Sequence, residues 1–129
     1  MEHSQYLIDT NAVIDYLGKK LSLPGMAFMN KVIDAVPNIS VITKIELLGF
    51  NTSAEYYQTL TDFVHDSVVL DLISSVVDKS IDIRKIYKTK LPDTIIAATA
   101  LVNNLVLVTR NIPDFKNIEG LLLLNPHEV

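Results

Sequence analysis

The sequence has no cysteine. Disulfides, cysteine-ligated zinc and iron–sulfur clusters are thereby excluded, and a reducing cytoplasm is the expected setting. Glycine is scarce as well. Gly18, Gly25, Gly49 and Gly120 are too dispersed to build a phosphate cradle, and neither a Walker sequence nor G-x-G-x-x-G occurs. A serine nucleophile elbow is missing too. No apolar stretch approaches the ~20 residues of a membrane helix. The opening Met1-Glu2-His3-Ser4-Gln5 has no positively charged region followed by an apolar run, so no secretory signal is expected. Repeats, low-complexity tracts and linkers are absent, and the prolines are scattered.

Positive charge is also short, with a net charge of −4. A module that merely coats nucleic acid would be basic, because phosphate neutralisation supplies most of its affinity. The acidic balance weighs less against an enzyme whose acids hold cations, since a bound metal reverses the local sign. The 129 residues fit one domain, expected to span 1–129, and 49% apolar residues are too many for a disordered chain.

Short aliphatic runs alternate with helical patterns. Tyr6-Leu7-Ile8 reads as a strand, stopped by Asp9-Thr10-Asn11 and followed by a helix to about Leu17. Gly25 to Val36 is helical up to Pro37, and Ile39 to Ile42 is the second strand. A helix from Thr43, a break at Asn51-Thr52-Ser53 and a helix over Ala54 to Val64 precede a third strand, Val68-Val69-Leu70. Ser74 to about Tyr87 is helical. Asp93 to Asn103 is a helix apolar on nearly every side, hence buried. Leu105 to Val108 and Leu121 to Leu124 complete five strands. This alternation predicts an α/β fold, a parallel sheet with helices on both faces. Ligands in such sheets sit outside the carboxyl ends of the strands, near a switch in strand order.

Acids gather at those ends. Asp9 follows strand one, Glu46 lies within a helical turn of strand two, and Asn111 and Asp114 follow strand four. Asp93 opens the helix that leads into strand four. Each has a structural alternative. Asp9 and Asp93 could be helix caps, Thr43-Lys44-Ile45-Glu46 has the form of a capping box, and Asp114 could be a turn residue after Pro113. What capping leaves unexplained is the convergence. Carboxylates crowded together repel, burial adds to the cost, and a divalent cation removes the penalty. Oxygen donors without histidine suit a hard ion, Mg²⁺ or Mn²⁺. His3, His65 and His127 fall outside these segments and read as surface or core residues. Such clusters handle phosphate oxygens, and attack of water on a phosphodiester fits best.

Lys79, Arg84, Lys85, Lys88 and Lys90 form a basic stretch that runs up to Asp93. It is either a solvated helix face or a track that steers a nucleic-acid backbone to the site.

The segments "LIDTNAVIDYL", "ITKIELLGF", "LPDTIIAATAL" and "LVLVTRNIPDF" together resemble the PIN-domain family, in the order and spacing of its VapC-type toxin ribonucleases. The resemblance covers nearly the whole chain. It implies a three-layer α/β/α sandwich, Mg²⁺- or Mn²⁺-dependent cleavage of RNA, inhibition by a cognate antitoxin, and a homodimer. It places the family's acids on Asp9, Glu46 and Asp93, with Thr10, Asn11 and Thr109 as polar positions beside them; Arg110 and Lys90 flank the same motifs. The chain departs from the pattern at Asn111, where many members carry an aspartate, and Asp114 is the candidate replacement. One carboxylate fewer implies a weakened second metal ion.

Two rival readings stay open on sequence grounds. A phospho-accepting receiver domain would use Asp71, at the end of strand three, although strand one ends in a single acid and no lysine follows strand five. A PIN-like chain that has lost catalysis would act by binding alone. Met26, Phe28 and Met29 could line an antitoxin groove or fill the core.

Overall fold

The computed structural model describes residues 5–129, so His3 lies outside the described residues. Five strands form one sheet: β1 (Tyr6–Ile8), β2 (Asn38–Ser40), β3 (Val68–Leu70), β4 (Val106–Val108) and β5 (Leu123–Leu124). Between them run α1 (Thr10–Leu17), α2 (Leu23–Asp34), α3 (Val41–Leu48), α4 (Ala54–His65), α5 (Ser74–Ile86), α6 (Leu91–Val102) and the short α7 (Ile112–Phe115). A 3₁₀ turn, Pro126–Glu128, follows β5.

Every strand pairing is parallel, and the order is β3-β2-β1-β4-β5. The chain builds outward from β1 to β3, then returns through α5 and α6 to the other side of β1. The order therefore switches between β1 and β4, which opens a crevice at their carboxyl ends. The register pairs Ile8 with Val108, so the residues that follow, Asp9 and Thr109, emerge side by side.

Strand periodicity produces the three layers. Ile8 and Val108 point into a core built with Val13, Met29, Leu47, Leu60 and Phe63. Their neighbours Leu7 and Leu107 point the other way, into a core with Val76, Ile83, Ile96 and Phe115. The central strands β1 and β4 are buried on both faces, which is why they read as unbroken apolar runs. Met29 is fully buried and Met26 and Phe28 pack on the first core, Phe28 edge-on to Tyr6 with ring centroids 5.3 Å apart. Their core role thus holds. In α6 every residue from Thr94 to Ala100 is buried, as its all-round apolarity predicts.

Several expected boundaries move. α2 starts at Leu23 rather than Gly25, because Ser22 caps it and Pro24 sits in its first turn. Gly25 is instead the point where the Pro126 carbonyl presses in, and a Cβ there would collide with that oxygen. β2 ends at Ser40, whose hydroxyl accepts from the amides of Ile42 and Thr43 and starts α3 at Val41. The Thr43–Glu46 capping box therefore does not form. α6 starts at Leu91 with Pro92 in its first turn and Lys90 at the cap, so Asp93 is not a cap either. β4 and β5 are shorter than expected, and Asp114 lies in α7 rather than in a turn. Asp71 follows β3, an edge strand separated from β1 by β2. A receiver phospho-acceptor there would stand apart from Asp9, and that reading fails on topology. Among the described residues no helix is long and apolar enough to cross a membrane.

Candidate active site

Asp9 occupies the first position after β1, and its own amide donates to the Val108 carbonyl at 2.9 Å, continuing the ladder with β4. Its side chain is buried at 5% exposure. Oδ1 accepts from the Thr10 amide at 2.8 Å, so the residue does cap α1. Oδ2 accepts from the Thr109 hydroxyl at 2.8 Å and from Asn11 Nδ2 at 3.0 Å. Asn11 is fixed in turn, because its Oδ1 accepts from the Arg110 amide at 2.9 Å and its Nδ2 also donates to Thr109 Oγ1 at 3.3 Å. Thr109 Oγ1 accepts from the Asn111 amide at 3.1 Å. The Thr-Asn after β1 and the Thr-Arg-Asn after β4 are one network whose centre is the Asp9 carboxylate.

Glu46 arrives from α3. The Thr10 hydroxyl donates to its Oε1 at 2.6 Å and lies 3.1 Å from the buried Thr43 hydroxyl. Thr43 thus serves the site floor, and Glu46 is tied to α1. Asp93, half-buried in the first turn of α6, completes the set.

Asp9, Glu46, Asp93 and Asn111 line one open cleft of about 340 Å³ with Thr10, Asn11 and Arg110. Thr109 is fully buried, holding Asp9 in place. Asp114 and Lys90 face a second cavity that shares the Asp93 wall. Of the five basic residues leading to Asp93, only Lys88 and Lys90 line either cavity.

Burial pushes the Asp9 carboxyl above its ordinary value; the Thr109 and Thr10 hydrogen bonds oppose this, and the charges of Asp93 and Glu46 add to it. Asp93 is raised by burial and by the charges of Asp114 and Glu46, against the pull of Lys90. The acids feel one another, and a cation among them relieves the repulsion. The donors are all oxygen, which fits a hard divalent ion. Among the described residues no three His, Cys, Asp or Glu side chains form a closed metal-ligand set. A cation here would complete its shell with water and substrate oxygens, as Mg²⁺ commonly does.

One residue of this region, Asp15, carries no earlier assignment. Asp15 is 2% exposed, and Arg110 Nη1 reaches both of its oxygens at 3.0 Å. His127 Nε2 lies 2.8 Å from Asp15 Oδ2, so the C-terminal turn is pinned beside the cleft. His65, by contrast, is an exposed surface residue. A sequence signal for Asp15 existed, since it falls three residues after the buried Ala12 on the inward stripe of α1.

The model of the PIN domain matches residues 6–121. The chain belongs to the PIN-domain family. Solved structures place this PIN domain beside the VapC type. It is 31% identical to a chain of a toxin–antitoxin complex from Klebsiella pneumoniae, over 96% of this chain and 99% of that one, with a TM-score of 0.71. It is 25% identical to a chain of VapBC2 from Rickettsia felis bound to a DNA fragment from their promoter, over 93% and 97%, with a TM-score of 0.77. DNA-bound VapBC from Salmonella typhimurium, at 24% identity, 95% and 98% coverage and a TM-score of 0.79, supports the fold. Among curated proteins nothing matches this PIN domain.

Proposed function

We propose that this PIN domain is a Mg²⁺- or Mn²⁺-dependent endoribonuclease and the toxin of a type II toxin–antitoxin pair. The observation that carries it is the convergence of Asp9, Glu46 and Asp93, from three distant segments, on one cleft at the β1–β4 switch point. Two of these acids are pushed toward protonation, and that penalty is what a bound cation removes.

Asp9 and Asp93 would hold the ion, with Glu46 and Asn111 completing the shell directly or through water. When bound, the ion lowers the pKa of a water and offsets charge building at phosphorus. Glu46 keeps Oε1 on Thr10, which leaves Oε2 to accept the proton of the attacking water. Arg110, half-exposed beside the cleft, meets the phosphate. Asp114 acts on Asp93 from the neighbouring cavity, so one ion is held more tightly than a second.

The toxin–antitoxin complexes that the chain resembles support a small antitoxin as partner. Exposed Leu23, Ile45 and Phe50 offer it apolar surface. A homodimer and a cytoplasmic site of action, consistent with a cysteine-free chain, belong to the same proposal.

Single-stranded RNA incubated with the purified chain and Mg²⁺ or Mn²⁺ should give internal cuts that EDTA suppresses. RNA left intact under every metal condition would count against the nuclease and leave a binding protein of PIN fold.

A further inference from the structure

The whole connection between α5 and α6, Tyr87-Lys88-Thr89-Lys90, lines a second cavity of about 320 Å³. Its far wall is Pro113, Asp114, Asn117 and Ile118, and Asp93 separates it from the acid cleft by belonging to both. The volume is at the lower end of small-molecule sites, roughly 300 Å³.

The chemistry of this cavity differs from that of the cleft. Lys88 and Lys90 are exposed, and among the described residues neither makes an ion pair. Tyr87 is partly buried against the second core, and its hydroxyl accepts from the Glu119 amide at 3.1 Å, so the ring is a fixed wall. Asn117 is exposed, and among the described residues its side-chain amide has no hydrogen bond. A held aromatic ring, an unspent amide and two unpaired ammonium groups are the groups that stack a base, read its edge and bind its phosphate. Asp93 and Asp114 in the wall disfavour an anion within the cavity and favour a neutral hydrogen-bonding base there, leaving the phosphate to the lysines.

We infer that this cavity is the subsite for the nucleotide next to the scissile phosphate of a single-stranded RNA, with its base against Tyr87 and Asn117 and its phosphate on Lys88 and Lys90. The inference rests on the nuclease proposed above. It also accounts for the sequence of the loop, in which an aromatic and two lysines lead directly to Asp93. An unpaired base enters such a cavity without the cost of leaving a duplex stack, so single-stranded RNA is the favoured substrate.

The first test titrates the isotope-labelled wild-type chain with each of the four ribonucleoside 5′-monophosphates, without metal, and follows backbone amides by NMR. Saturable shifts at Thr89, Asn117 and Ile118 are expected. Lys88→Ala should weaken binding of all four roughly tenfold, whereas Asn117→Ala should change their ranking. Both side chains are exposed, so neither variant threatens the fold. Shifts confined to the Asp9–Glu46 cleft, or affinities unchanged in both variants, would overturn the subsite. The second test compares RNA cleavage. Asn117→Ala should raise KM and alter base preference beside the cut with kcat little changed. Cleavage with unaltered KM and preference would sink the subsite and leave the nuclease standing. Nucleotide binding at the cavity with no cleavage by wild type would do the reverse.

Discussion

Thr109 donates its hydroxyl to Asp9 Oδ2 at 2.8 Å across 100 residues of sequence, and both side chains are buried. The bond joins the end of β4 to the end of β1 and fixes the first acid of the cleft. Thr109→Val keeps the shape and removes the donor, so a buried carboxylate loses one partner. A loss of about 1–3 kcal/mol is expected in urea denaturation, and Thr109→Ser should restore most of it. A Val variant as stable as wild type would mean that Asn11 and Thr10 suffice.

The repulsion around Asp93 should be visible in the metal-free protein. Its carboxyl is held above the ordinary value by burial and by Asp114 and Glu46. Between the unfolded and the raised folded value, the folded chain binds more protons than the unfolded one, so this contribution to stability falls as pH rises through that window. Asp93→Asn should therefore melt a few degrees above wild type at neutral pH and converge with it in acid. Mg²⁺ should raise the melting temperature of wild type and not of the variant. An advantage for the variant that grows as pH falls would contradict the sign.

Glu46 and Ser40 separate site from cap. Glu46 is exposed and hydrogen-bonded to Thr10. Glu46→Gln should change stability by less than ~0.5 kcal/mol while lowering RNA cleavage at least tenfold. Ser40 is the N-cap of α3, and Ser40→Ala should cost about 1 kcal/mol. A Glu46→Gln variant that cleaves RNA as well as wild type would return Glu46 to a purely structural role.

Arg110 and Asp15 form an unequal pair, one half in water and the other buried. Removing the guanidinium leaves the buried carboxylate with His127 alone. Arg110→Ala should cost about 2–3 kcal/mol, below the ~3–5 of a fully buried pair because Arg110 is half-exposed. Asp15→Asn, which keeps volume and an acceptor, should cost less. The opposite order in chemical denaturation would show that Arg110 is not what stabilises Asp15.

Much of this architecture is legible in the residues. Unbroken runs such as Tyr6-Leu7-Ile8 announce strands buried on both faces, and acids at strand ends announce the crevice. The fold confirms both, with Leu7 and Ile8 in opposite cores. Local patterns misled where tertiary partners outweighed them. Thr43 and Glu46 have the spacing of a capping box, yet Ser40 already caps α3, and Thr10, 36 residues away, takes the glutamate. The helix expected from Asp93 starts at Leu91, because proline is at home in a first turn and Pro92 sits in that of α6. The Asp15–His127 contact spans 112 residues, and no periodicity carries such a pairing.

The most direct measurement is cleavage of single-stranded RNA by wild type and Asp93→Asn, side by side, with Mg²⁺ or Mn²⁺ and with EDTA, both proteins checked as folded by circular dichroism. Metal-dependent cutting by wild type that the folded variant loses by at least a hundredfold is the expected result. Equal cutting by both proteins, or cutting that persists in EDTA, would remove Asp93 and its cation from the chemistry.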